Sequence, residues 1–470
     1  MEKTKKQKKF KFPDALVLIV ILLIVVSFAT YVLPTGEYTR VLNPITEIEI
    51  VDPTSYHAID KNPVSLWGVL QSIPRGLNES AEIINFLFII GGTFGVLKGT
   101  GALDSLLQVA LMKLKGRERL VIPIVLTFWG LGGAIVGNFE ECLAFLPLQI
   151  TLCLALGFDS ITGVALGMCG VGIGYMGAIL NPFTVATAQN IAEVPLFSGM
   201  GLRIVSFAIL LIITVSYVYI YAGKIHKNPQ SSLVYESDLK SPFRENELLE
   251  GEFNFTSKQK LSLLVFLLGL IALVYGVLVY EFYLGEIAAI FMAVAIICGL
   301  VGGLSLNETV DNFVKGAGNL LYAGLCVGFA RAITVIMQDG NILDVIVHSF
   351  SKLVFDLPLQ ISAVGMFLFQ SFINVFIPSG TGQAVVSMPI MTPLADVIGL
   401  TRQTAVMAFQ FGDGITNLIT PTSGDLMAAL AIGGIVYGKW MKWIWKLLLM
   451  WYVACSLILM VATVIHYGPI

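Results

Sequence analysis

An apolar passage interrupted by a polar turn is written twice in this chain, with the same spacing each time. Gly137-Asn138-Phe139-Glu140-Glu141, then Pro147 and Gly157, returns as Ser379-Gly380-Thr381-Gly382-Gln383, then Pro389 and Gly399, the later proline and glycine each lying 242 residues after the earlier one. Each copy leads into a hydrophobic helix broken at a polar cluster: Asn181-Pro182-Phe183-Thr184 in the first, Pro421-Thr422-Ser423-Gly424-Asp425 in the second. Hydrocarbon cannot satisfy the backbone groups that such breaks expose, so they survive in a membrane only around protein or a water-filled cavity. Paired breaks of this kind build the central binding sites of secondary transporters.

That the surroundings are lipid follows from composition. Hydrophobic residues make up 56% and charged residues 13%, against roughly 25% charge in soluble domains. Runs long enough to cross about 30 Å of hydrocarbon occur near 15–33, 82–98, 160–180, 203–221, 259–280, 285–304, 318–337, 402–420 and 443–465, or about nine crossings. The first is too long for a cleaved signal, lacks a small-residue cleavage site and is read as a retained helix. The six cysteines all fall within apolar segments at no metal-like spacing, and the four histidines lie in loops or near segment ends, so no disulfide framework, metal site or buried histidine relay is expected.

Charge placement orients the chain. Lys3, Lys5, Lys6, Lys8, Lys9 and Lys11 put the N-terminus in the cytoplasm, and Lys113, Lys115, Arg117, Arg119, Lys224 and Lys227 then also fall inside. Arms at about 121–136 and 142–156 are short for full crossings, so with their polar tip they are predicted to form a re-entrant hairpin. A second hairpin, about 360–377 and 384–397, enters from the opposite face. The fold class is therefore an all-α polytopic membrane protein with two inverted repeats, about 82–221 and 318–466, each holding one hairpin and one broken helix. The N-terminal half spans 1–221, a proline-broken cytoplasmic linker 222–258, and the C-terminal half 259–470. Leu103-Asp104 and Leu343-Asp344 extend the repeat upstream, and Trp440, Trp443 and Trp445 beside Lys439, Lys442 and Lys446 anchor the last helix at the interface.

The four polar clusters are the ligand candidates. At the first tip these are Asn138, Glu140 and Glu141; at the second, Ser379, Gly380, Thr381 and Gln383, with the glycine serving the turn. In the broken helices they are Asn181 and Thr184, matched by Thr422, Ser423 and Asp425. Asp413 and Asn417 share one helical face within the 402–420 run. Oxygen-bearing groups suit Na⁺ and a desolvated carboxylate suits a proton, and both remain open. Asn138 and Ser379 also fit as caps for the second arms. Arg331, inside 318–337, requires a carboxylate of the protein, Asp413 or Glu141, or one of the substrate. Gly163–Gly167 and Gly170–Gly174 read as helix-packing faces. No Lys-Ser or Lys-Thr follows the second tip, which excludes a nucleotide loop.

Lys11-Phe12-Pro13, Leu33-Pro34-Thr35-Gly36-Glu37-Tyr38 and Pro378-Ser379-Gly380-Thr381-Gly382-Gln383 resemble YfcC-type carriers of the C4-dicarboxylate anaerobic carrier group, within the ion transporter superfamily. The likeness spans nearly the whole chain. Related families carry Ser-Asn-Thr-like tips, from which Gly137-Asn138-Phe139 and Ser379-Gly380-Thr381 depart. The resemblance implies a homodimer in the cytoplasmic (inner) membrane, with a scaffold and a mobile transport domain working by elevator-like alternating access. Its substrates include dicarboxylates and amino acids such as arginine and ornithine, moved by ion coupling or exchange. Several membrane acids against one well-buried arginine tilt the reading toward an amino acid. No cofactor and no nucleic acid are expected, only the small-molecule substrate, membrane lipid and Na⁺ or H⁺. A channel or uncoupled facilitator is the alternative, and an enzyme lacks its nucleophile and base.

Overall fold

Apolar runs in hydrocarbon must satisfy their amides within themselves, and nearly all of this chain is helical. The computed structural model describes residues 15–42, 49–52, 54–103, 105, 116–137, 139–243, 256–280, 282–354 and 358–468, so Asn138, Asp104 and the N-terminal lysines lie outside the described residues. The helices are α1 (Ala15–Val32), α2 (Leu66–Glu79), α3 (Ala81–Gly99), α4 (Val121–Ile135), α5 (Cys142–Ala155), α6 (Ser160–Gly177), α7 (Val185–Ile191) and α8 (Met200–Lys227). After the linker come α9 (Ser257–Tyr280), α10 (Leu284–Gly302), α11 (Leu306–Asn319), α12 (Leu321–Asp339), α13 (Leu343–Val354), α14 (Leu359–Asn374), α15 (Gly380–Ile398), α16 (Arg402–Thr416), α17 (Gly424–Ile432) and α18 (Tyr437–Val464).

Two small antiparallel ribbons, Gly36–Glu37 with His57–Ala58 and Arg40–Leu42 with Glu49–Val51, qualify the all-α expectation. They lie in the polar segment after α1, where extended backbone has no helix to complete. Arg40 from this segment grips Asp344 on α13 with both terminal nitrogens, at 2.6 and 2.9 Å. His348, expected in a loop or at a segment end, lies within α13, its ring stacked on Tyr56 at 3.7 Å.

Seven fully described stretches are long and apolar enough to cross: α3, Glu118–Ile135, α6, α8, α10, α12 and α18. Six of these coincide with expected runs, and two departures have local causes. The 402–420 run carries Gln403, Gln410 and Asp413 and stops helically at Thr416, while Glu118–Ile135, read as a short arm, gains a turn of 3-10 helix at Glu118–Leu120. The predicted arms are otherwise α4 with α5 and α14 with α15, and both predicted breaks are present, between α6 and α7 and between α16 and α17.

The halves are interlocked. Amphipathic α2 packs on α12 and amphipathic α11 on α3, each 14-residue helix N-capped by a serine, Ser65 or Ser305. A Cβ on Gly76 would strike the backbone of Gly328 and Ala332, and one on Gly316, 240 residues later, that of Gly91 and Gly95, so each crossing requires glycine for close backbone approach. Behind this layer α4 packs on α6, α14 on α16, and the two broken helices on each other. The linker is docked as well: Ser232 donates to Asp159 at 2.7 Å, and Asp238 accepts from the amide of Ser160 at 3.0 Å.

Candidate functional site

A cavity of about 340 Å³ lies where both tips and both breaks converge. Gly137, Phe139 and Glu140 come from the first tip, Phe183 and Thr184 from the first break, Pro378 to Thr381 from the second tip, and Asn417, Thr422, Gly424 and Asp425 from the second break. Val327, Arg331 and Thr334, one face of α12, complete the wall with Glu79 at the end of α2 and Tyr283 before α10.

Local chemistry explains each approach. Gly137 turns at φ +83°, a left-handed conformation that glycine adopts without strain, and its carbonyl accepts from the Tyr175 hydroxyl at 2.6 Å. At the first break Pro182 has no amide to donate, and the fully buried Asn181 takes over the freed groups. Its Oδ1 accepts from the amides of Phe183 (2.9 Å) and Thr184 (3.1 Å), while its Nδ2 donates to Gly133 O at 3.0 Å. At the second tip Ser379 caps α15, its Oγ accepting from Gly382 N at 3.3 Å, and Ser423 likewise caps α17 through Leu426 N at 3.3 Å. The capping role foreseen for Ser379 is thus present. The second tip touches the first break directly, because the Thr381 hydroxyl donates to Phe183 O at 2.9 Å.

The predicted site residues divide between wall and support. Glu140, Thr184, Ser379, Gly380, Thr381, Asn417, Thr422 and Asp425 face the cavity; Glu141, Asn181, Gln383, Asp413 and Ser423 stand behind it. Asp413 is fully buried, its Oδ1 accepting from Asn417 Nδ2 at 2.9 Å and Asn374 Nδ2 at 3.0 Å. Gln383 joins the same layer, donating to the Gln370 backbone and side-chain oxygens at 2.9 and 2.6 Å and accepting from Asn374 at 2.9 Å. Among the described residues, Glu141 Oε2 is buried without a hydrogen-bond partner, as is one oxygen of Asp425.

Two expectations about arginine are corrected. Arg331 pairs with neither Asp413 nor Glu141 but with Glu79, Nε to Oε2 at 2.9 Å, and the two side chains keep 39% and 35% exposure because they open into the cavity. The deeply buried arginine is Arg203, 1% exposed, which donates to the carbonyls of Ser198 (2.6 Å) and Ile179 (3.2 Å). It holds the first break's flank, so it neutralises no carboxylate of the cavity.

Sequence reasoning missed Glu79, Tyr175, Tyr283, Gln370, Asn374 and Gln410. Three of these had a signal: Gln370 and Asn374 are polar residues one turn apart in an otherwise apolar arm, and Gln410 sits one turn before Asp413. Gln410 meets the Thr184 hydroxyl at 3.1 Å, joining the two broken helices.

With that geometry in place, relatives fix the family. Residues 12–464 match the family described as C4-dicarboxylate anaerobic carrier, DcuC. The chain is 33% identical to "Putative basic amino acid antiporter YfcC" of Escherichia coli (strain K12), over 93% of this chain and 94% of that protein. It is 28% identical to an uncharacterized protein of Haemophilus influenzae (strain ATCC 51907 / DSM 11121 / KW20 / Rd), over 94% and 95% respectively. Among solved structures it aligns with the crystal structure of the Alcanivorax borkumensis YdaH transporter at a TM-score of 0.42 and 16% identity, over 97% of this chain and 100% of that one. The chain belongs to the C4-dicarboxylate anaerobic carrier family, which makes it a multi-pass membrane protein of a transporter family.

Proposed function

We propose that this protein is a secondary active transporter that exchanges small amino acids bearing a cationic side chain across the cytoplasmic membrane. The observation that carries this reading is the charge of the cavity wall: three carboxylates, Glu79, Glu140 and Asp425, face one guanidinium, Arg331. A C4-dicarboxylate would bring two further negative charges to that wall, whereas a basic amino acid brings two positive groups and one negative, which the wall complements. The name of the Escherichia coli relative, "Putative basic amino acid antiporter YfcC", agrees with this choice.

Alternating access belongs to the same reading, with inverted repeats at about 82–221 and 318–466 on either side of the linker at 222–258. The reciprocal crossings of α2 on α12 and α11 on α3, and the meeting of both tips at one cavity, support it. The N-terminus is placed in the cytoplasm and the assembly is a homodimer with an elevator-like mobile part. Glu140, at the cavity, is the carboxylate that would take up a coupling proton; Asp413, with its ring of amides, is the one that would sense Na⁺.

The test is flux in proteoliposomes. Purified protein should take up labelled L-arginine or L-ornithine against unlabelled amino acid inside, with gradients of Na⁺ and H⁺ imposed in turn. Saturable succinate or fumarate flux without amino-acid flux would overturn the substrate assignment, and conductance without exchange would overturn the carrier.

A further inference from the structure

Two ion pairs join the same two helices, α2 and α12, yet they are built differently. Arg75 grips Asp339 with both terminal nitrogens, at 2.5 and 3.2 Å, and neither residue lines the cavity. Arg331 meets Glu79 through Nε alone, at 2.9 Å, and both residues line it. A fork-to-fork pair fixes geometry. The single-bonded, half-exposed pair adds little to stability, and among the described residues the Nη1 and Nη2 donors of Arg331 and the Oε1 acceptor of Glu79 have no other hydrogen-bond partner, on side chains that line the cavity. Opening it does not unfasten α2 from α12, since the Arg75 clamp and the glycine crossing at Gly76 remain.

We propose that Glu79 and Arg331 form the headgroup site for an α-amino acid. The substrate carboxylate takes the free face of the Arg331 guanidinium, its α-ammonium takes Glu79, and the resident ion pair is replaced by two substrate-mediated ones. Net charge at this pole is unchanged by the exchange, so a zwitterionic headgroup is desolvated against matched partners, whereas a lone carboxylate or a lone amine leaves one of the two protein charges without a partner. The substrate's side chain then projects toward Glu140 and Asp425 on the opposite elements of the wall. This inference rests on the amino-acid reading above and adds Glu79 and a division of labour to it.

The test uses wild-type protein first. In proteoliposomes exchanging labelled L-arginine, Nα-acetyl-L-arginine (no ammonium), L-arginine methyl ester (no carboxylate) and agmatine (no carboxylate) should each compete at least about tenfold more weakly than L-arginine, the size of one lost charge-assisted bond. Variants then assign the partners. Glu79→Gln should erase the penalty against the acetylated compound and keep that against the ester; Arg331→Gln should do the reverse. Arg75→Gln, at the neighbouring clamp, should leave both ratios unchanged. A merely structural role for the pair would move all ligands together, and that result overturns the proposal. So does arginine exchange in which the analogues compete within about twofold of arginine itself, a result that needs no variant to fold. Absence of any amino-acid flux in the wild type would instead remove the transport reading on which the proposal stands.

Discussion

The two tip-and-break pairs share a backbone device and differ in chemistry. The first carries carboxylates, Glu140 and Glu141, and its break is held by one buried amide, Asn181, that serves three backbone groups. The second carries hydroxyls and small residues, its ends are capped by Ser379 and Ser423, and one of its two acids, Asp413, is retired behind the wall among Asn374, Asn417 and Gln383. Asp425 alone brings a carboxylate from that side to the cavity. The backbone geometry thus occurs twice, while charge is distributed unequally over the two pairs. Charged chemistry concentrates on the first tip, and the second tip shapes the wall.

Removing the charge from one tip and the hydroxyl from the other should separate the copies most sharply. Glu140→Gln should abolish gradient-driven uptake while leaving substrate exchange measurable, because exchange requires occupancy without net proton movement. Ser379→Ala should leave both largely intact in the same vesicles. Equal losses would erase the distinction between the tips. Should Na⁺ be the coupling ion, Asp413→Asn should shift the Na⁺ dependence and Glu140→Gln should not, a contrast read from uptake over a Na⁺ titration.

The breaks should differ next. Asn181→Ala strands two amides and a carbonyl and should cost about 2–3 kcal/mol, more than the loss of about 1 kcal/mol expected for Ser423→Ala at the matching cap. Thermal unfolding in detergent compares them, and a smaller loss at Asn181 would show that water or another group can take its place. At the interlocking crossings the halves should instead agree. Gly76→Val and Gly316→Val each force a side chain into backbone and should each cost about 1–3 kcal/mol, so unequal shifts would show that one crossing yields. The smallest effect is expected for Thr381→Val, which deletes one hydrogen bond between the second tip and the first break and should cost about 1 kcal/mol.

Much of this architecture was legible in the chain because its causes are local. Prolines without amides, flanked by Asn181 or by Ser423, announce a helix that must stop and restart, and the arms predicted at 142–156 and 360–377 became Cys142–Ala155 and Leu359–Asn374. Spacing between the copies also indicated that their polar clusters would meet, and nine of the predicted residues, Arg331 among them, do line one cavity. What failed was the assignment of partners. Arg331 was expected to pair with Asp413, Glu141 or a substrate carboxylate, yet its protein partner is Glu79, 252 residues away on a short amphipathic helix outside the predicted crossings. The buried arginine was misjudged for the same reason, since Arg203 lies near a helix start and is enclosed only by what packs over it.

By itself the sequence determined where the chain is apolar, where its helices break and which residues are available at each break. These depend on hydropathy, on missing amides and on capping oxygens within a few residues. Tertiary structure decided which of those residues face the cavity and which support it, and which charges meet. A break exposes its polar groups in every direction, and only the crossing of α2 on α12, of the second tip on the first break and of one broken helix on the other selects the direction that stays open.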